Sequence, residues 1–105
     1  MIKTLSGDII KILITYNFEC NLDNEKIMLT LKSHFGIEVE FHINFKNDED
    51  FIEKFCNYVS EFYDDDYARR LIIEGYDRKT VLEIALGAKD LENILEDTAN
   101  TLRKL

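Results

Sequence analysis

The chain has 105 residues, of which 46% are apolar and 32% charged, with a formal net charge of −8. That is one ordinary domain, too apolar for intrinsic disorder and too charged for a membrane protein. No apolar run approaches the roughly 18–20 residues that a bilayer span requires. Residues 1–8 show no signal-peptide pattern, and Cys20 and Cys56 have no paired spacing. Reduced thiols in a cytoplasmic protein are therefore the expectation.

Ser6, Gly7 and Asp8 form a turn signal, so residues 2–5 read as a short first strand. Ile10, Ile12, Ile14, Tyr16 and Phe18 share one parity, which predicts a half-buried strand. Residues 20–25 read as a loop. Ile27, Leu29 and Leu31 alternate with Met28, Thr30 and Lys32, and Gly36 breaks that segment. Val39, Phe41, Ile43 and Phe45 alternate with Glu38, Glu40, His42 and Asn44. Three or four strands with short connections predict an antiparallel meander with one face buried. Lys32, His34, Glu38, Glu40 and His42 fall on its wet face.

After residue 47 the apolar spacing becomes helical. Asn47 is a capping residue, with Asp50 close to a capping box, and Phe51, Ile52, Phe55, Val59 and Phe62 form the stripe. Asp48, Glu49 and Asp50 suit the positive end of a helix dipole, whereas Asp64, Asp65 and Asp66 would oppose its negative end. The helix is therefore expected to end near Tyr63, with Asp65 or Asp66 capping a helix over residues 67–74. Gly75 ends that helix, Asp77 caps one over residues 78–86, Gly87 ends it, and a last helix runs over residues 88–105. One rival is a single long helix through Gly87, at a cost of about 1 kcal/mol relative to alanine. Another is a strand over residues 80–86. The expected class is α+β: an N-terminal sheet over about residues 2–46, then three to four helices over about 48–105 on its apolar face.

Residues 48–66 hold eight acids (Asp48, Glu49, Asp50, Glu53, Glu61, Asp64, Asp65 and Asp66) against Lys54 alone, a net charge of −7. The remaining residues carry almost none of the excess. A local acidic block steers basic partners and repels phosphates, so direct nucleic-acid binding is not expected.

Motifs for other chemistry are missing. A calcium loop counted from Asp64 puts Gly75 at its twelfth position, and one counted from Asp48 puts Glu53 at its sixth. Zinc would need four ligands from Cys20, Cys56, His34 and His42, which lack structural-site spacing. Cys20 with His34 or His42 is the remaining nucleophile–base pair, and nothing nearby in sequence activates the thiol. Ser6, Ser33 and Ser60 sit in no elbow motif, and no glycine-rich phosphate loop is present. The expectation is a protein without catalytic activity, metal or cofactor.

The segment from Arg70 to Glu83, with Leu71-Ile72-Ile73-Glu74-Gly75-Tyr76 at its centre, resembles the middle of LuxR-type helix-turn-helix domains. Leu102-Arg103-Lys104-Leu105 is similar to that family's close. The resemblance implies a regulator with a recognition helix beyond Gly87. That helix would carry Asp90, Glu92, Glu96 and Asp97 with Lys89 as its only early base, which suits a scaffold that does not read DNA.

The functional expectation is a small acidic protein that inhibits a basic partner such as a nuclease, as toxin-immunity proteins and phage-type nucleic-acid mimics do. Asp48, Glu49, Glu53, Tyr58, Glu61, Tyr63, Asp64, Asp65 and Asp66 are the expected interface, with the tyrosines as anchors in an acidic rim. The second expectation is an adaptor or subunit docking through its C-terminal helices. A homodimer seam along Leu91, Leu95 and Leu102 belongs to that reading.

Overall fold

A computed structural model describes residues 5–23, 26–34, 36–62 and 75–105. Its described elements are α1 (Gly7–Thr15), β1 (Glu19–Leu22), β2 (Lys26–Lys32), β3 (Glu38–Asn44), α2 (Asp48–Phe62) and a long final helix, α3 (Arg78–Arg103). The class is α+β, with one three-stranded antiparallel sheet in the order β1-β2-β3.

The first correction is α1. The segment read as a strand over Ile10–Phe18 is a helix through Thr15, because its two ends are fixed by caps. The Ser6 hydroxyl accepts from the Ile9 N–H, and Asp8 stands in the first turn. At the other end Asn17 takes a left-handed φ of 68°. The Phe18 N–H then reaches Leu13 C=O and the Asn17 N–H reaches Ile14 C=O, both at 3.0 Å. That pair of bonds is a Schellman closure. Leu5, Ile9 and Leu13, four residues apart, are buried, whereas Ile14 is 61% exposed. Leu5 belongs to no strand, and residues 2–4 of the expected first strand lie outside the described residues.

The second correction is β1. Cys20 to Leu22 is strand, not loop, and pairs with Leu29 to Ile27 of β2. The alternation of β3 is as the sequence predicts, and that of β2 holds except that Thr30, on the opposite parity, is buried too and Met28 is half-buried. Ile27, Leu29, Leu31, Phe41 and Ile43 are buried on one face, while Lys32, Glu38, Glu40, His42 and Asn44 are exposed on the other. His34, just past β2, is exposed as well. The β2–β3 turn is organised by Ser33, whose N–H donates to Ile37 C=O at 2.7 Å and whose Oγ accepts from Ile37 N–H at 3.0 Å.

All three helices contribute to one core with the sheet's apolar face. α3 packs against α1 and α2, α1 also against β1, and α2 also against β3. Phe55 sits at the centre, with Phe18, Phe41 and Phe51 at ring-centroid distances of 5.8, 6.0 and 6.0 Å. The Tyr16 hydroxyl and Thr101 Oγ1, 2.8 Å apart, join α1 to the last turns of α3.

The third correction concerns Gly87, which lies inside α3 rather than at a helix end. Asp77 caps α3 as expected, its carboxylate accepting the Thr80 N–H at 2.8 Å and the Thr80 hydroxyl at 3.0 Å. The 3-4 spacing then runs unbroken from Val81 to Leu102 within a helix of 26 residues. Glycine is used at position 87 for closeness: a Cβ there would lie 2.4 Å from Ile37 Cγ1 and 3.0 Å from its Cβ. Ile37 is β-branched and cannot swing its Cγ1 away cheaply. G87A gains about 1 kcal/mol of helix propensity but overpacks this contact, at a cost of roughly 1–3 kcal/mol. A net loss of about 1 kcal/mol is expected in urea unfolding. The same change should cost less when Ile37 is replaced by alanine, which removes Cγ1 and leaves only the Cβ contact. Gly75 does take a left-handed φ of 90°, but the helix expected before it lies outside the described residues.

Candidate functional site: the acidic face of α2 and the edge of β3

α2 begins as its sequence dictates. Asn47 Oδ1 accepts the Asp50 N–H, and Asp50 Oδ2 accepts the Lys46 N–H, both at 2.9 Å. The Lys46 amide holds the Asp50 carboxyl below its ordinary value, and the Lys54 ammonium at 3.2 Å adds to this. Asp48 Oδ1 accepts the Ser6 N–H at 3.1 Å, tying the start of α2 to the cap of α1. These two acids are consumed by the fold. Asp48 was an expected interface residue, and the structure places it half-buried at this junction instead.

Glu49, Glu53 and Glu61 fall on a single row of α2, with Asn57 between the last two, because residues four apart share a helix face. All are exposed, and none of the three carboxylates takes part in an ion pair or hydrogen bond among the described residues. A neighbouring row carries Asp50, Lys54 and Tyr58 along β3. Lys54 Nζ donates to Asn44 C=O at 2.7 Å. The Tyr58 ring stacks on Phe41 at 3.8 Å with 9° between planes, and burial pushes its hydroxyl up from the ordinary value. Tyr58 is thus half-buried on the sheet rather than a free anchor in the acidic rim. Tyr63, Asp64, Asp65 and Asp66 lie outside the described residues, as does the expected helix over 67–74.

Between α2 and β3 lies a groove of ≈ 270 Å³ lined by His42, Ile43, Asn44, Lys54 and Tyr58. Sequence reasoning did not find it. The usable signal is the pair Lys54 and Tyr58, four apart on the helix, but which strand they face depends on strand order.

The thiol–imidazole pairs that the sequence leaves open are not assembled. Cys20 lies opposite Leu29 on the covered face of the sheet, His42 is exposed on the other face, and burial raises the thiol's pKa. Cys56 is half-buried against the core. His34 instead meets α3: its backbone N–H and its Nδ1 approach Asp90 Oδ2 at 2.8 and 2.9 Å. The backbone bond is the main reason that the Asp90 carboxyl titrates below its ordinary value. A depressed carboxyl stabilises the fold above the ordinary carboxylate range, and that contribution fades as the pH falls through the lowered value. Below about pH 4 the tether of the β2–β3 turn to α3 should therefore weaken. The His34 amide resonance should shift over that acid range in the native chain and stay flat in D90N.

Among the described residues no three metal-ligating side chains gather, and no helix is long and apolar enough to cross a membrane. Leu91, Leu95 and Leu102, the expected dimer seam, are buried in the chain's own core and unavailable to a partner. The unbroken course of α3 also leaves no turn at Gly87 for a helix-turn-helix arrangement.

Among the described residues, fold and surface together define an α+β arrangement with an acidic face of α2 turned outward. Comparison with protein-family models, curated proteins and solved structures finds no match to this chain.

Proposed function

We propose that this protein acts by binding: α2 docks on a cationic surface of another protein, such as the phosphate-binding cleft of a nuclease, and blocks it. The observation that supports this reading is the exposed row Glu49, Glu53 and Glu61, whose carboxylates have no ion-pair or hydrogen-bond partner among the described residues. Carboxylates without internal partners keep their full field, and that field raises the on-rate for a basic partner. Asp64, Asp65 and Asp66 extend the acidic run in sequence. No step of catalysis is assigned to the chain, and no cofactor is needed for this role. The test is affinity capture from the source cells with the intact chain as bait, followed by an activity assay of what is retained. Recovery of a basic nuclease that the chain inhibits supports the proposal. Capture that returns no basic protein overturns it.

A second reading, an adaptor docking through the last helix, is favoured by one observation. Tyr76, Leu82 and Leu86 at the start of α3 are 49, 59 and 42% exposed. Contact through that apolar surface would be insensitive to salt, whereas docking through α2 weakens as ionic strength rises.

A further inference from the structure

The outer edge of β3 carries main-chain groups that no described residue satisfies, and their sequence context selects a partner. The Ser33 N–H donates to Ile37 C=O in the β2–β3 register, and the Asp23 N–H donates to Lys26 C=O in the β1–β2 register. This fixes the alternation: odd-numbered residues of β2 turn their main-chain groups to β3 and even-numbered ones to β1. Leu31–Val39, Leu29–Phe41 and Ile27–Ile43 therefore exchange the bonds between β2 and β3. The N–H and C=O groups of Glu38, Glu40, His42 and Asn44 point outward. Among the described residues, only the Asn44 carbonyl has a partner there, Lys54. A carbonyl has two lone pairs, so it can keep Lys54 and accept an incoming amide as well.

We propose that β3 pairs antiparallel with β3 of a second copy of this chain, centred on Phe41, joining two three-stranded sheets into one. The strand reads Glu-Val-Glu-Phe-His-Ile-Asn, and in this register it is complementary to itself. Glu40 of each copy meets His42 of the other, a carboxylate opposite an imidazole. Glu38 meets Asn44, Val39 meets Ile43, and Phe41 meets Phe41. Polar pairs fall on the open face, where Glu38, Glu40, His42 and Asn44 are all exposed. Phe41 and Ile43, 7 and 4% exposed, are already covered within their own chain and add little side-chain contact across the seam. Shifting the register by two residues one way sets Glu40 against Glu40. The other way sets His42 against His42 and runs past Asn44, where the strand ends. Charges on an exposed edge ordinarily deter pairing, so Glu38 and Glu40 act against foreign strands and wrong registers while fitting this one. The groove beside Ile43 gives the space into which Val39 of the second copy projects. This surface is distinct from the Glu49, Glu53 and Glu61 row, so either proposal can fail without the other.

Sedimentation of the intact chain from about 5 to 500 µM tests it, and a concentration-dependent dimer is expected. H42P removes an outward N–H without touching a β2–β3 bond, as edge positions allow, and should leave a monomer. E40K and H42E, each alone, should weaken the dimer about tenfold, and E40K/H42E together should restore it to within about threefold. The charge-swap series stands even if H42P fails to fold. A wild-type chain that stays monomeric throughout overturns the proposal. So does a dimer indifferent to the single changes, or a double variant no better than either single one.

Discussion

Replacing Phe55 by alanine is expected to cost about 3–5 kcal/mol, the largest loss from any single side chain here. Phe55 is wholly buried and touches aromatic rings from three parts of the chain: Phe18 in the connection after α1, Phe41 of β3 and Phe51 of its own helix. Its removal leaves a cavity where α2 meets the sheet. The lining is mostly ring edges and faces that cannot collapse without dragging backbone with them. Domains of this size have a total stability of roughly 5–15 kcal/mol, so the variant should sit close to unfolding. At roughly 4 °C per kcal/mol the melting temperature should fall by about 12–20 °C, read by circular dichroism. A loss below about 1 kcal/mol would mean that α2 does not lie on β3 as described.

Reversing the outward row with E49K/E53K/E61K is expected to leave the fold almost untouched and to abolish steering. Each side chain is exposed and unpaired among the described residues, so E53K and E61K should each alter stability by no more than about 0.5 kcal/mol, and E49K, which reverses a first-turn charge, by about 1 kcal/mol. Three reversals of two units each move the net charge from −8 to −2. At low salt the association rate with a basic partner should drop by about a hundredfold, within the range that electrostatic steering supplies. At 0.15 M, where charges are screened beyond about 8 Å, the gap between variant and parent should narrow. Equal association rates at low salt would show that the partner docks elsewhere.

The strands β2 and β3 and the helix α2 were legible because a single periodicity accounts for each. In β3 parity separates apolar from polar residues cleanly, in β2 it sets Ile27, Leu29 and Leu31 on one face, and in α2 Asn47, Asp50 and the phenylalanine stripe agree on a start and a face. α1 was misread because isoleucines at 10, 12 and 14 fit a strand, while Leu5, Ile9 and Leu13 fit a helix equally well. The deciding residues were the flanking Ser6 and Asn17, read as turn and strand when they are caps. Gly87 looked like a helix stop because the sequence does not reveal that Ile37 lies against it. In the site, the row Glu49, Glu53 and Glu61 follows from spacing alone. The diversion of Asp48 to Ser6 does not, because that contact spans 42 residues. The open edge of β3 depends on strand order, which no local pattern encodes.

The bond between Tyr16 and Thr101 closes a loop of 85 residues. Contacts so far apart in sequence form only after much of the chain has been arranged, since the entropy of closing the loop comes first. α1 therefore gains only its cover from β1 early, and its seat against α3 is completed only once a helix more than sixty residues further along the chain has formed.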